Sequence, residues 1–234
     1  MCIRDSYEEA TKKVGLWKSE ELIYRSIFSD QNLSILELGC GAGRISFSLW
    51  DLGFKEIIAT DFSKEMIGRA RSINRTFGTG VVFEKQDATN LPYFDKSFDG
   101  IIFGFNGLMQ IPGRSNRLKA LKESHRVLRS EGRFIFTTHD RTLLKWRKFW
   151  KIERKKWRLN KQNPELIEFG DRFENTEKGK LFIHVPEIDE VRTDLKKTGF
   201  VVEKDFLRSK LAEESELVRN YSDECRFWVC RKPI

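Results

Sequence analysis

The sequence feature that most constrains the fold is the alternation of short apolar runs with amphipathic stretches between residues 34 and 138. Five apolar runs predict strands, at residues 34–38, 56–60, 81–85, 98–103 and 133–138. The stretches between them have apolar residues at helical spacing, and Ser63 is of the type that caps a helix N-terminus. Apolar strands separated by helices are typical of a parallel sheet with helices on both faces. Two later runs, 200–206 and 225–230, complete a doubly wound, mostly parallel α/β sheet of seven strands.

The chain of 234 residues has the size of one domain with additions. We divide it into an N-terminal segment, 1–33, that is expected to cap the site; a core, 34–139; a charged and aromatic-rich insertion, 140–181; and the remainder of the core sheet, 182–234. The first six residues, 1–6, resemble the translation of an adapter used in sequencing libraries, so no inference rests on them.

The basic charge is concentrated in one segment. The net charge is +8, and the segment Arg141–Lys161 holds ten basic residues and one acidic residue, which leaves 33 basic against 34 acidic residues elsewhere.

No apolar run has the length of a membrane span. Three cysteines, Cys40, Cys225 and Cys230, have neither metal-ligand nor paired-disulfide spacing. Together these features predict a cytoplasmic protein without a metal site.

A glycine-rich loop follows the first predicted strand in the segment ILELGCGAGRIS. The strand ends near Glu37, and the loop passes through Gly39, Gly41 and Gly43 into a helix. Glycines let a backbone approach a ligand closely. A dinucleotide-binding loop has its third glycine one position later, where this chain has Arg44, and an acid at Glu37 would repel a pyrophosphate. The loop therefore favours a ligand that carries positive charge.

Two further acids follow the next two strands. Asp61 ends the second strand, 24 residues after Glu37, and Asp87 follows the third strand, 26 residues after Asp61. Each interval is about one strand-helix-strand unit. With the glycine loop, this pattern resembles class I S-adenosylmethionine-dependent methyltransferases, over residues 34–139 and more weakly over 186–203. The resemblance implies a Rossmann-like fold, S-adenosylmethionine as cofactor, and methyl transfer as the activity. The insertion after the fifth strand, where the alternating pattern breaks, lies outside the resemblance and is expected to be helical.

The resemblance also implies a role for individual residues. Asp61 is expected to accept the ribose hydroxyls, with Phe62 against the adenine ring, while Asp87 receives the adenine amino group. Phe105 and Asn106 are expected to meet the methionine portion. The complete implied cofactor set is Glu37, Gly39, Cys40, Gly41, Gly43, Asp61, Phe62, Met66, Asp87, Ala88, Phe105 and Asn106.

Candidates for acid-base chemistry are few. Methyl transfer mainly requires that the acceptor and the methyl group be held in line, and a base is needed only for a protonated acceptor. His139 and Asp140 follow the fifth strand, at the edge where open α/β sheets bind ligands, and His184 precedes a later helix. All three are candidate catalytic residues. Their alternative role is structural, with His139 capping a strand and His184 packed beneath a lid.

The basic segment Arg141–Lys161 is predicted to form an amphipathic helix within the insertion. One face would hold Leu143, Trp146, Phe149, Trp150 and Trp157. We expect this face to pack on the domain and to close the acceptor pocket as a lid. An RNA-binding surface and a membrane-surface helix remain as alternatives.

The predicted function is methyl transfer to a small or medium-sized acceptor, enclosed by the insertion and by the N-terminal segment around Tyr7, Trp17 and Tyr24. One alternative is a tRNA or other RNA methyltransferase. Another is a protein that binds S-adenosylmethionine without transferring methyl groups. Two motifs of nucleic-acid base methylation, a Pro-Cys pair and Asn-Pro-Pro-aromatic, do not occur in the chain.

Overall fold

The structure is a computed structural model that describes residues 11, 14–176 and 179–234. The strands are β1 (Ile35–Leu38), β2 (Ile57–Asp61), β3 (Val82–Lys85), β4 (Phe98–Phe103), β5 (Leu128–Thr138), β6 (Asp171–Thr176), β7 (Gly179–His184), β8 (Val201–Leu207) and β9 (Arg226–Arg231). Seven of them form one sheet in the order β3-β2-β1-β4-β5-β9-β8. Strand β9 is antiparallel to both neighbours, whereas β1 to β5 pair in parallel. The predicted doubly wound, mostly parallel sheet of seven strands is confirmed.

The helices connect these strands in the predicted order. They are α1 (Lys18–Ile27), α2 (Arg44–Asp51), α3 (Lys64–Phe77), α4 (Arg114–Val127), α5 (Arg147–Arg158), α6 (Ile188–Lys197), α7 (Arg208–Leu211) and α8 (Glu216–Tyr221). At the start of α3, the hydroxyl of Ser63 accepts a hydrogen bond from the N–H of Met66, which confirms the predicted cap. None of the helices in the described part of the chain combines the length and the apolarity needed to cross a bilayer.

Two hydrophobic clusters lie on opposite faces of the sheet. Neighbouring residues of a strand enter different clusters, as Ile35 and Leu36 do in β1, because successive side chains point to opposite faces. Helices α1, α2 and α3 cover one cluster, whereas α4, α5 and α6 contribute to the other. Burial on both sides explains why these strands read as continuous apolar runs in the sequence.

The insertion differs from the predicted helical one. Helix α5 begins at Arg147 rather than at Arg141, and the second half of the insertion is an antiparallel hairpin of β6 and β7, which continues to His184. The helix begins late because Asp140 accepts hydrogen bonds from the backbone N–H and the hydroxyl of Thr142, which fixes a turn at the start of the insertion.

The N-terminal segment is fixed to the rest of the domain by two carboxylates. Glu20 in α1 forms a bidentate ion pair with Arg44, at N–O distances of 2.6 and 2.7 Å, and both side chains are buried. Glu214 accepts the backbone N–H groups of Lys18 and Ser19 at 3.1 and 3.0 Å, so it caps the N-terminus of α1 from a distant part of the sequence.

Candidate active site

A cavity of about 670 Å³ lies beside the residues that follow β1, β2, β3 and β4, a size typical of small-molecule sites. Ten of the predicted cofactor residues line it: Glu37, Gly39, Cys40, Gly41, Asp61, Phe62, Met66, Asp87, Ala88 and Phe105. This is the edge of the sheet where parallel α/β folds place their ligands. Of the predicted set, Gly43 and Asn106 are not part of the described lining.

The glycine loop between β1 and α2 is shaped mainly by protein packing. Gly39 and Gly43 have φ of +64° and +94°, and a Cβ on either would lie 2.8 Å from the ring of Phe103 or 2.7 Å from the ring of Phe47, respectively. A side chain at either position would therefore collide with the protein itself, which requires glycine there independently of a ligand. Gly41 has φ +55°, and Gly39 and Gly41 both line the cavity, so the close approach of a ligand to this loop stays a prediction.

Asp61 is held by backbone groups in an orientation that suits a diol. Its two carboxylate oxygens accept the N–H groups of Gly41 and Ser63, each at 2.8 Å. Burial raises the pKa of Asp61, although the same two hydrogen bonds act to lower it. Each carboxylate oxygen has two acceptor directions, so one remains on each oxygen for a ligand hydroxyl.

Glu37 is a buried acid in the cavity wall. Its side chain accepts a hydrogen bond from the hydroxyl of Ser46, and the residue is 2% exposed. Burial raises its pKa to about 7, with Ser46 and Arg44 acting in the opposite direction. A cation in the same cavity would favour the ionised form, because opposite charges attract strongly where water is excluded. Glu37 therefore fits a ligand that carries an ammonium or sulfonium group.

The residues after β2 and β3 supply an aromatic ring and a third acid. Phe62 is 70% exposed, and the Nζ of Lys85 lies 5.8 Å from its ring centroid. Asp87 accepts the backbone N–H and the hydroxyl of Thr89, both at 2.8 Å. A free aromatic face near a carboxylate can hold a purine ring with an amino group.

Comparison with known proteins identifies the family. Residues 29–181, more than half of the chain, match a family described as a methyltransferase domain. The chain belongs to the methyltransferase domain family. A ubiquinone/menaquinone biosynthesis C-methyltransferase of Rickettsia prowazekii is 32% identical over 127 residues, which are 51% of this chain and 48% of that protein. The chain thus spans about half the length of the curated relatives it matches.

Solved methyltransferases share the fold. An S-adenosylmethionine-dependent methyltransferase of Methanosarcina mazei has a TM-score of 0.71 and 19% identity, and the match covers 94% of this chain and 99% of that one. One from Clostridium acetobutylicum has a TM-score of 0.68 and 17% identity, with 98% and 97% covered. The methyltransferase domain implies S-adenosylmethionine as cofactor. The three carboxylates, the aromatic ring and the glycine loop fit its ammonium, sulfonium, ribose and adenine groups.

Two predicted residues of the methyltransferase site, Asn106 and His139, contact each other, and His139 lines a different, small cavity. The amide nitrogen of Asn106 is 3.2 Å from Nε2 of His139, and Nδ1 of His139 is 3.0 Å from the carbonyl oxygen of Glu224. Phe105 and Asn106 both have left-handed φ, at 47° and 58°, and of the two only Phe105 is in the described lining of the large cavity. The described lining of the large cavity includes neither Asn106 nor His139, so the expected contacts of Asn106 with the cofactor and of His139 with the acceptor stay predictions.

The other two catalytic candidates also have structural partners. Asp140 is 3% exposed and accepts hydrogen bonds from Thr142 and from the guanidinium of Arg226. His184 is fully buried, with Nδ1 at 2.7 Å from Asp171 and Nε2 at 2.7 Å from Glu190. Neither candidate is in the described lining of the large cavity. His184 instead joins the hairpin to α6.

The His184 network includes three groups that could ligate a metal. Potential ligand atoms of Glu168, Asp171 and His184 lie within 4.8 Å of one another. Each already has protein partners, because Arg117 donates to Glu168 at 2.7 Å and the N–H groups of Ile167 and Glu168 donate to Asp171 at 3.0 Å. We therefore interpret the cluster as an ion-pair network that supports the hairpin.

Substituting His184 with glutamine is expected to destabilise the domain by about 3 kcal/mol under acidic conditions, because it removes the cation of a buried pair. Burial lowers the pKa of His184, but the bonds to Asp171 and Glu190 outweigh it, so the net pKa is raised. The stabilisation is therefore complete below about pH 6.5, the unfolded pKa, and is lost as pH rises through the folded pKa. Thermal unfolding of both proteins across this range measures the difference.

His125 provides the matched control for this measurement. Burial, followed by the charge of Lys232, lowers the pKa of His125. Protonation of His125 therefore destabilises the folded protein as pH falls, which is the opposite of the effect of His184. The His125→Gln variant should not show this decrease in stability at acidic pH. If the difference between the wild type and His184→Gln did not depend on pH, protonated His184 would not be part of the network.

The aromatic face of α5 packs on the insertion and not on the large cavity. Trp150 is buried in the core, and its ring and that of Trp157 both meet the ring of Phe169 edge-on, at 5.8 and 6.3 Å. The guanidinium of Arg172 in β6 lies 5.3 Å from the ring centroid of Phe149. None of residues 141–161 belongs to the lining that the structure describes. In the described lining the hairpin contributes to the wall through Leu181, and a lid formed by α5 stays a prediction.

Several lining residues are absent from the predicted set. They include Thr11, Gln110, Ile111, Pro112, Asn116, Leu181 and Tyr221. The sequence signals for the hairpin that carries Leu181 are Gly179, a turn-forming residue, and the apolar run 181–183 that follows it. In the N-terminal segment, Trp17 and Tyr24 are each 1% exposed and belong to the core, and Tyr7 lies outside the described residues.

Proposed function

We propose that this chain is an S-adenosylmethionine-dependent methyltransferase that acts on a small or medium-sized, uncharged acceptor. The observation that carries the proposal is the division of the cavity lining. Among the residues that the structure describes, the charged members of the lining are Glu37, Arg44, Asp61 and Asp87, all from the first three strands and the segments that follow them. In the same described part, the segment after β4 with the start of α4, strand β7 and helix α8 contribute uncharged side chains, namely Phe105, Gln110, Ile111, Pro112, Asn116, Leu181 and Tyr221.

This uncharged wall can position an acceptor. The ring of Phe105 stacks on Tyr221 at 5.2 Å and meets the ring of Trp17 edge-on at 5.7 Å, so its orientation is fixed from two sides. A rigid aromatic wall with a few amide groups can hold a flat or apolar molecule, exclude water and align its nucleophilic atom. When bound, the cofactor supplies a methyl group already activated by its sulfonium centre.

The names of the relatives agree with such an acceptor. Relatives from Rickettsia, Bartonella and Brucella are named as C-methyltransferases of ubiquinone/menaquinone biosynthesis. An RNA acceptor is the second candidate, favoured by the charge of residues 141–161. It has less support, because the aromatic side chains that could stack on bases pack inside the insertion.

Leu181→Asp is expected to raise the KM for the acceptor at least tenfold while the Kd of S-adenosylmethionine changes little, since a carboxylate in an apolar wall must be desolvated when the acceptor binds. Asp61→Ala should instead weaken cofactor binding by about 1.5–3 kcal/mol, the range for hydrogen bonds to a charged group, and leave the KM for the acceptor little changed. Transfer of labelled methyl groups to metabolite fractions and to total tRNA, combined with calorimetry of the cofactor, measures both effects.

Leu181→Met is the matched control, because it keeps an apolar side chain of similar volume. The proposal would be contradicted if label entered only tRNA, or if Leu181→Asp and Leu181→Met used the acceptor equally well.

A further inference from the structure

The outward face of α5 and its flanking residues carries unpaired positive charge. Six cations are exposed and form no ion pair within the described part of the chain: Arg147, Lys148, Lys151, Lys155, Arg158 and Lys161. The remaining cations of the segment are paired, as Lys145 is with Asp223 and Arg154 with Glu187. Unpaired cations on one short helix repel one another, so a polyanionic surface would bind here favourably.

Large aliphatic side chains lie among these cations. Ile152 is 51% exposed, Leu159 is 53% exposed, and Leu144, in the turn before the helix, is 83% exposed. Ile152 is four residues after Lys148 and three before Lys155, so these side chains are neighbours on one face of the helix. Aliphatic side chains that share an exposed helix face with cations can enter an apolar phase while the cations stay at its charged surface.

The opposite face of α5 holds the aromatic residues. Their position favours an anionic bilayer over a nucleic acid as the polyanion that binds the outward face. Single-stranded nucleic acid is bound by cations together with aromatic rings on which the bases stack. In α5 the rings of Phe149, Trp150 and Trp157 pack against each other, Phe169 and the hairpin. The outward face therefore offers cations and aliphatic side chains, the combination by which amphipathic helices bind the headgroup region of an anionic bilayer.

We propose that the outward face of α5 is a docking surface for anionic lipid membranes. The cations contact the lipid headgroups, and Leu144, Ile152 and Leu159 enter the interface between headgroups and acyl chains. Association is peripheral and reversible, because the buried aromatic face keeps α5 attached to the domain. It brings the hairpin that lines the large cavity close to the bilayer surface, since α5 packs directly on Phe169 and Arg172.

Vesicle flotation of the full chain tests this surface. The protein should float with vesicles of phosphatidylcholine and phosphatidylglycerol, and not with phosphatidylcholine alone. Lys148→Gln, Lys151→Gln and Lys155→Gln combined should reduce partitioning roughly 100-fold, given the contribution of each cation near an anionic surface. Lys196→Gln, Lys197→Gln and Lys204→Gln combined are the matched control, since they remove the same charge from exposed positions elsewhere.

A second variant separates lipid from RNA. Ile152→Gln with Leu159→Gln keeps the net charge, and it should weaken vesicle binding at least tenfold while binding to total tRNA in a gel shift stays unchanged. Cofactor calorimetry verifies that every variant is folded. The proposal is overturned if anionic vesicles do not bind the wild type, if the control triple variant loses as much binding as the α5 triple variant, or if the aliphatic substitutions leave vesicle binding unchanged.

Discussion

Glu20→Gln is expected to lower the free energy of unfolding by about 3–5 kcal/mol, the cost of removing one partner from a buried ion pair. Glu20 is fully buried and forms both of its short ion-pair contacts with Arg44. It also accepts the backbone N–H of Trp17 at 2.9 Å. The glutamine would leave the guanidinium of Arg44, which also lines the cavity, without a neutralising charge. Urea unfolding followed by circular dichroism measures the loss.

The adjacent residue provides a control on the same helix. Glu21 pairs with Arg25 at 2.8 Å, but their side chains are 45% and 54% exposed. Water screens such a pair, so Glu21→Gln should change stability by only about 0.3–0.5 kcal/mol. Both substitutions remove one negative charge from α1, and only Glu20 is buried. Equal losses in the two variants would mean that the Glu20–Arg44 pair does not hold α1 to the cofactor loop.

Glu37→Gln is expected to weaken S-adenosylmethionine binding about 10- to 100-fold at pH 8 and to stabilise the protein without cofactor at the same pH. The physical reason for both effects is burial, which raises the pKa of Glu37 to about 7 and makes its ionised form costly in the absence of a cation. Glutamine keeps the acceptor for the hydroxyl of Ser46 and removes the charge. Calorimetry with cofactor and thermal unfolding without it measure the two effects.

The pH dependence follows from the direction of this shift. The folded pKa lies above the unfolded value, so folded protein binds the Glu37 proton more tightly than unfolded protein does. The contribution of Glu37 to stability is thus most favourable below about pH 4.5 and falls by about 3 kcal/mol as pH rises to about 7. Glu37→Gln should abolish this fall, which appears as a pH-dependent difference between the two proteins.

Cofactor binding should show the complementary dependence. Below about pH 7 the cationic ligand must displace the proton of Glu37, so affinity should increase with pH up to that point and proton release should accompany binding. Ser46→Ala removes a hydrogen bond that lowers the pKa of Glu37, so it should move the midpoint to higher pH. A midpoint that Ser46→Ala leaves in place, or an affinity independent of pH in the wild type, would contradict this role of Glu37.

The core sheet and the cofactor side of the cavity could be predicted because both depend on local sequence. Buried parallel strands require apolar runs, and the acids at Glu37, Asp61 and Asp87 stand at or beside strand ends, where the fold itself brings them together. The cap at Ser63 is likewise a local signal. The roles of individual side chains toward the cofactor remain predictions, although their common location in one cavity supports them.

The acceptor side could not be predicted in the same way, because it depends on backbone conformation and on contacts between distant segments. His139 and Asn106 stand in promising sequence positions, yet their side chains contact each other, and His139 lines a different cavity. Leu181 and Tyr221 reach the large cavity only through the hairpin and through the packing of α8. In the basic segment, the sequence pattern identified the aromatic and the basic face of a helix. It did not identify what covers the aromatic face, because Phe169 and strand β6 come into contact with that face only in the folded chain.

The cap that Glu214 provides for α1 has a consequence for the order of events during synthesis. Its carboxylate reaches N–H groups 195 and 196 residues earlier in the chain, so α1 stays incompletely capped until residue 214 has left the ribosome. Strands β1 to β5 can assemble before that, because their pairings are closer in sequence. We expect α1 to dock after these strands, so a nascent chain would form its cofactor loop early and place the ring of Trp17 against Phe105 only once Glu214 has emerged.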